Sequence, residues 1–366
     1  MLPFRSFTLF SLAATLGLRA FCATGAAPSP TMQLLPADDS RFRYEGRFDF
    51  AQPAAPAVVW QGSRIAIDFE GTAATLLFDW AEGQNFFDLT VDGATAVLAV
   101  NDASTTRFAL PADLGPGRHR LTLFKRSEAS AGHARFRGLE LPLGAHAWVP
   151  AAPNYKLRLQ FFGDSITAGA CNEDPGEDQW ENRATHNNAK SYAAFTAAAF
   201  AADYRNIAVS GIGIAAGYYP ELIGAVWDRL YPTARSPRAD LGTWTPDVVC
   251  INYGENDGSF TTLNKQPFPS AAFTKGYLAL VHAIRSAYPH AHIVLLRGGM
   301  YNGAKNEALR RAWESAVQQL EAKDAAVHHY VFQHWSGPHP RVADDRALAD
   351  ELIAWLQQQP FMAAYR

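Results

Sequence analysis

Leu159-Gln160-Phe161-Phe162-Gly163-Asp164-Ser165-Ile166-Thr167 sets the architecture of this chain. A short apolar, strand-like run ends on a glycine and hands a serine to a tight turn, where its hydroxyl can face outward. A serine delivered on such a turn is a candidate nucleophile. The plain alternative is a serine that caps a helix. An unassisted alcohol attacks weakly at neutral pH, and the tetrahedral intermediate it forms is negatively charged, so the chemistry also needs a base and oxyanion donors.

Downstream the same rhythm continues. Strand-like runs at 157–162, 204–209, 248–251, 293–296 and 327–332 alternate with helical stretches at 190–202, 271–287, 306–323 and 343–357. That alternation implies an α/β domain with a parallel sheet covered on both faces. In such sheets ligands gather beyond the carboxyl ends of the strands. Ser165 follows the first run, Gly211 the second, Asn256 the third and His339 the last, so all four share one rim. A helix following Ser165 is expected to turn backbone N–H groups and a positive dipole end toward the reacting centre.

Upstream, short β-type segments at 47–50, 64–69, 74–78, 86–91, 96–100, 120–125 and 136–141 are separated by turn signals, the pattern of an all-β sandwich or jelly roll. Asp92-Gly93 is a hairpin cue, because this pair tolerates the positive backbone angles of a tight turn. Residues 37–145 are therefore assigned to a β-sandwich, 146–156, with Pro150 and Pro153, to a linker, and 157–366 to the α/β domain. With 366 residues and 48% hydrophobic content, each domain is long enough to bury a core.

Charged residues make up 18% of the chain and the net charge is −3. Neither a nucleic-acid footprint nor a polybasic membrane patch is indicated, and the expected partner is neutral. Residues 1–26 carry Arg5, the apolar run 7–18 and small residues around 20–27, which reads as a secretory signal peptide and predicts a secreted or periplasmic protein. Cys22 follows Arg19, Ala20 and Phe21, not the small residues that precede a lipidated cysteine, so lipid anchoring is not expected. Cys171 and Cys250 are too few for a disulfide scaffold and are expected to be buried thiols. No His, Cys or carboxylate spacing marks a metal site, since His328 and His329 would point to opposite faces of a strand. Neither metal nor cofactor is expected.

The order Ser165, Gly211, Asn256, His339, with Gly163-Asp164-Ser165 and Gly254-Glu255-Asn256-Asp257, resembles the SGNH (GDSL-type) hydrolase superfamily. The stretches 206–213 and 244–257 and the β-rich region ahead of them are similar to carbohydrate esterase family 2, which removes acetyl groups from plant polysaccharides. The likeness covers residues 40–358. It implies a three-layer, flavodoxin-like catalytic domain behind a jelly-roll domain. It implies Ser165 as nucleophile, His339 as base, and an oxyanion hole made by the N–H groups of Ser165 and Gly211 with the Asn256 amide. Gly213 is an alternative to Gly211, and His328, His329 and His334 are alternatives to His339.

The superfamily's acid, three residues before the histidine, is replaced here by Ser336. The resemblance to family 2 implies that a backbone carbonyl holds the imidazole instead, giving a dyad. Asp344 and Asp345 are substitutes for the acid, although both suit the start of the last helix. Asp164 and Asp257 are read as loop-holding carboxylates. Sugars present apolar C–H faces that stack on aromatic rings, which makes Trp335 and Trp180 candidate substrate platforms, with Trp244 and Tyr253 behind them.

The expected function is therefore a secreted acetyl esterase acting on acetylated polysaccharide or oligosaccharide such as xylan or glucomannan, through an acetyl-serine intermediate. The alternatives are an SGNH esterase or lipase for small or fatty acyl esters, and a carbohydrate-binding protein with an inactive hydrolase domain.

Overall fold

A computed structural model describes residues 31–110, 114–301 and 305–365. The expected signal peptide at 1–26, and Cys22 within it, lie outside the described residues.

The N-terminal region forms two antiparallel six-stranded sheets. In one, Gly132–Pro142 pairs with Thr75–Gly83, Ala57–Val58 and Met32–Pro36. In the other, Arg118–Lys125 lies between Arg64–Glu70 and Phe86–Val91. Alternation along the strands sends Ile65, Ile67, Phe69, Phe87 and Leu89 inward to meet Phe78, Phe136 and Leu139, the two-residue period of a sandwich. Asp92 (φ 50°) and Gly93 (φ 87°) turn Phe86–Val91 back into Ala94–Ala99, as the Asp-Gly cue predicts. Met32–Pro36, ahead of position 37, is the first strand of the sandwich, and Ala147–Trp148, inside the expected linker, pairs with Arg64–Glu70.

The C-terminal domain, whose elements are numbered within it, has five parallel strands: β1 (Arg158–Gly163), β2 (Asp203–Ala208), β3 (Val248–Asn252), β4 (His292–Met300) and β5 (Val327–Ser336). Their order is β2-β1-β3-β4-β5, the flavodoxin-like arrangement. Central strand β3 is buried at every position, as it must be when helices cover both faces. On one face lie α5 (Ser270–Ala287) and α6 (Glu307–Glu321), which pack Phe273, Tyr277, Leu309 and Trp313 against β3 and β4. On the other lie α2 (Tyr192–Ala199) and α7 (Val342–Gln358), which bring Tyr192, Leu348 and Leu352 to the sheet. Cys171 and Cys250 are both buried and unbridged.

Two observations modify the sequence reading. The helix after Ser165 is a single turn, α1 (Ser165–Ala168), ended by a left-handed Gly169. A four-residue turn sums too few peptide dipoles for the expected macrodipole contribution. The second concerns the domains, which share a core. Ala57, Val59, Trp60 and Ala129 of the sandwich lie in one apolar cluster with Ile207, Val209, Ile223 and Trp227. The polar atoms at this junction are paired across it. Trp60 Nε1 donates to Leu230 O (2.8 Å), Arg47 Nη1 to Trp227 O (2.9 Å), and Gln61 Nε2 to Asn206 Oδ1 (2.9 Å) and Ala208 O (2.8 Å).

Candidate active site

Ser165, Gly211, Asn256 and His339 line one cleft of about 570 Å³ at the carboxyl edge of the sheet. A larger groove of about 1050 Å³ between α5 and α6 is walled by helix flanks such as Thr274, Lys275, Glu307 and Arg311, and none of the four residues reaches it.

Ser165 reaches the cleft because the chain folds back sharply after β1. A Cβ at Gly163 would stand 2.0 Å from Thr167 Oγ1, so only glycine allows the turn. Asp164 accepts the N–H of Ile166 (3.1 Å) and caps α1, leaving Ser165 4% exposed. Burial raises the Asp164 carboxyl to about 7, against the lowering effect of its hydrogen bond from Ile166.

Gly211 follows β2 in the left-handed region (φ 78°), and its carbonyl accepts the N–H groups of Tyr218 (2.8 Å) and Tyr219 (2.9 Å). Gly213 is not part of the cleft wall; a Cβ there would meet the Ala216 carbonyl at 1.7 Å, which makes it a packing glycine. Asn256 is the second residue of α4 (Glu255–Leu263), and its Nδ2 donates to Asp164 Oδ2 (3.2 Å) and Ile212 O (3.0 Å). An amide nitrogen has two hydrogens, so one of these bonds yields when an oxyanion takes a third direction. Next in the chain, Asp257 accepts the N–H groups of Ile214 (2.9 Å), Ala215 (2.6 Å) and Ala216 (2.9 Å). It is the loop-holding carboxylate the sequence suggested, raised by burial to about 6.

His339 lies between β5 and α7, and the partner of its ring differs from the backbone carbonyl that the resemblance implied. Its Nδ1 meets no backbone carbonyl but Asp178 Oδ2, at 2.6 Å. Burial alone would raise the Asp178 carboxyl, but hydrogen bonds and charge from His339 and Arg341 hold it well below the usual carboxylate range. An ionised carboxylate only accepts, so Nδ1 carries the ring proton and Nε2 is the free basic atom. Ser336 places its hydroxyl against the carbonyls of Gly299 (2.8 Å) and Pro338 (2.7 Å). Asp344 bonds His334 Nε2 (2.7 Å) and caps α7, while Asp345, fully buried, holds Tyr192 N (2.9 Å) and Asn172 Nδ2 (3.1 Å). The other histidines of this region have their own partners: His328 meets His292 (3.1 Å), and His329 meets Glu321 (2.6 Å).

The aromatic candidates separate. Trp180 lines the cleft, yet its ring stacks with His339 (centroids 5.7 Å, 29°) and lies under the Arg183 guanidinium (4.1 Å). It supports the imidazole more than it offers an open face. Trp335 does not wall the cleft: its indole packs on Gly298 and Arg297, where the β4–β5 pairing shifts register. A Cβ at Gly298 would stand 3.1 Å from the indole Cζ2, so the absence of a side chain there leaves the space that this ring fills. Trp244 is buried, its Nε1 bonded to Asp203 (2.6 Å). Tyr218, which the sequence reading passed over, lines the cleft with 49% of its surface exposed.

The sandwich also contributes to the site. Ser130 lines the cleft, and Glu128, 1% exposed, accepts the N–H of Ser210 (2.9 Å) beside Gly211 and an Arg183 Nη1 hydrogen bond (3.1 Å). For metals, the sequence expectation of no cluster meets one group among the described residues. Cys171, Asp178 and His339 offer donor atoms within 4.8 Å of one another. Sequence separation hid it.

Residues 44–153 match the carbohydrate esterase 2 N-terminal family, and residues 161–352 match the GDSL-like lipase/acylhydrolase family. The chain is 32% identical over 333 residues to a cellulase/esterase, CelE, of Acetivibrio thermocellus, covering 88% of this chain but 40% of that protein. It therefore spans less than half of that relative. It is 29% identical to an acetylxylan esterase/glucomannan deacetylase of Cellvibrio japonicus, covering 84% of this chain and 87% of the other. Among solved structures, a family two carbohydrate esterase from Clostridium thermocellum in complex with cellohexaose superposes with a TM-score of 0.76. That match has 30% identity over 86% of this chain and 98% of that one.

Proposed function

Because the chain belongs to carbohydrate esterase family 2, we propose that it is a secreted or periplasmic acetyl esterase. Its substrates are O-acetylated plant polysaccharides such as xylan and glucomannan, and it works through an acetyl-serine intermediate. Ser165 Oγ attacks the acetyl carbonyl while His339 Nε2 takes its proton. The oxyanion is met by the N–H groups of Ser165 and Gly211 and by the Asn256 amide. Collapse returns the proton to the departing sugar oxygen, and water then repeats the sequence on the acetyl-enzyme to release acetate.

The observation that carries this reading is the meeting of Ser165, Gly211, Asn256 and His339 in one cleft, from segments separated by up to 174 residues of chain (339 minus 165). Relatives named for acetylxylan and glucomannan support the substrate class. The test is acetate release from acetylated xylan and glucomannan. Ser165→Ala and His339→Ala should each lose at least about 10³-fold in kcat while still binding the glycan. Unchanged acetate release from a folded Ser165→Ala protein would remove the reading. Faster cleavage of long-chain than of acetate esters would move it to the lipase alternative.

A further inference from the structure

The base is reached by a carboxylate from a different loop. Asp178 lies 161 positions before His339, in the segment 171–188 that joins α1 to α2. Its Oδ2 meets the ring Nδ1 at 2.6 Å and accepts the backbone N–H of the same histidine at 3.3 Å. Its Oδ1 accepts from Arg341 Nη1 at 2.8 Å. Arg341 also donates to the carbonyls of Cys171 (3.0 Å), Gly176 and His339 (2.9 Å), which stitches the acid's loop to the base's loop. Trp180, two residues beyond Asp178, stacks on the imidazole from that same segment.

We propose that Asp178 is the acid of the catalytic site: it stands in for the carboxylate missing at position 336 and fixes His339 with Nε2 toward Ser165. This rests on the reading of Ser165 and His339 as nucleophile and base. In the acylation step the Ser165 proton moves to Nε2, the Nδ1 proton stays on the ring against Asp178, and the carboxylate remains ionised beside the imidazolium. The Nε2 proton then leaves with the sugar oxygen, so Asp178 neither gains nor loses a proton. It is a positioning residue, acting only through the imidazole.

An acid on a long polar loop is useful only if the loop is held, and here the sandwich holds it. Gln84 Nε2 donates to Glu181 O (3.0 Å) and Gln84 Oε1 accepts from Arg183 N (3.3 Å). Arg126 pairs with Glu173 and donates to Ala184 O (3.2 Å), and its own carbonyl accepts Asn188 N (2.9 Å). Glu128 takes Arg183 Nη1 at 3.1 Å. The β-domain thus supplies the frame that keeps the acid at the base. The nearer substitutes are committed elsewhere: Asp344 to His334 and the α7 cap, Asp345 to Tyr192 and Asn172.

The test compares Asp178→Asn, Asp178→Glu and Ser165→Ala on an aryl acetate and on acetylated xylan, with thermal unfolding measured for each. In a serine protease, exchanging the triad aspartate for asparagine costs about 10⁴ in kcat because the imidazole is left in the wrong tautomer. Here Asp178→Asn should cost at least about 10² in kcat. KM should hold within about threefold and Tm should be unchanged, and Asp178→Glu should recover part of the loss. Asp178→Asn within about threefold of wild-type kcat, beside an inactive Ser165→Ala, overturns the acid assignment alone. So does a kcat loss that travels with lowered Tm and raised KM and is not relieved by glutamate, since that is a structural role. Activity surviving in Ser165→Ala overturns the hydrolytic reading itself.

Discussion

Asp164 illustrates how one side chain joins folding to function. It caps the turn that presents Ser165 and accepts from the Asn256 amide, yet it is 1% exposed, and burial lifts its carboxyl from 3.8 to about 7. A carboxyl raised in the folded state stabilises the fold fully below its unfolded value, and that contribution is lost as pH rises through its folded value. Asp164 therefore stabilises the protein at acid pH and ceases to do so as pH climbs from about 4 to about 7. Asparagine keeps a cap acceptor without titrating. Between about pH 5 and about pH 8, Asp164→Asn should accordingly lose less stability than wild type, read from urea midpoints at the two values. Equal losses in the two proteins would show that this carboxyl ionises as easily folded as unfolded.

Among the elements, the loops that follow β1 and β2 do different work. The 171–188 segment carries Asp178 and Trp180 to the base, while the 211–219 loop, tied to α4 by Asp257, carries Tyr218 to the cleft. Because Trp180 is engaged by Arg183 and His339, Tyr218, half exposed on the cleft wall, is the ring expected to stack on a sugar face. Stacking of an aromatic ring contributes about 0.5–1.5 kcal/mol, so Tyr218→Ala should raise KM for an acetylated oligosaccharide roughly 2- to 10-fold. The rate with a small aryl acetate, which has no sugar to stack, should stay within about twofold. Steady-state kinetics on both substrates decide it, and equal losses on the two would rule the platform out.

Across the whole protein, the shared core changes what the sandwich is for. A catalytic domain of residues 157–366 on its own would lose Ala57, Val59, Trp60 and Ala129 from the apolar cluster that also holds Ile207, Ile223 and Trp227. It would also leave the carbonyls of Ala208, Trp227 and Leu230 without their donors from Gln61, Arg47 and Trp60. Fully burying a single large apolar side chain is worth about 1.5–3 kcal/mol, and losing several such contacts consumes much of a domain's stability of about 5–15 kcal/mol. Residues 157–366 expressed alone should therefore fail to show a cooperative thermal transition or esterase activity. A soluble fragment with the full-length Tm and turnover would show that the junction is dispensable.

Local signals along the chain were enough for the order of elements, a parallel sheet and the rim on which Ser165, Gly211, Asn256 and His339 meet, while the flavodoxin-like strand order was implied only by the family resemblance. Those signals are apolar runs of strand length, helical stretches between them, and a glycine-hinged turn after the first strand. The Asp92-Gly93 hairpin was legible for the same reason, since a tight turn is decided by the residues in it. The acid, the aromatic surface and the role of the sandwich emerged only from the folded arrangement. Asp178 sits 161 residues from the imidazole it holds, and nothing in a polar loop distinguishes one aspartate from the next until folding brings it to a partner. Trp335 looked placed for a sugar because it precedes His339 by four residues, but strand pleat and the opening at Gly298 turned its ring against Arg297. Spacing along the chain fixes which strand end a residue reaches, whereas the direction of its side chain and its neighbours across the fold are set by packing.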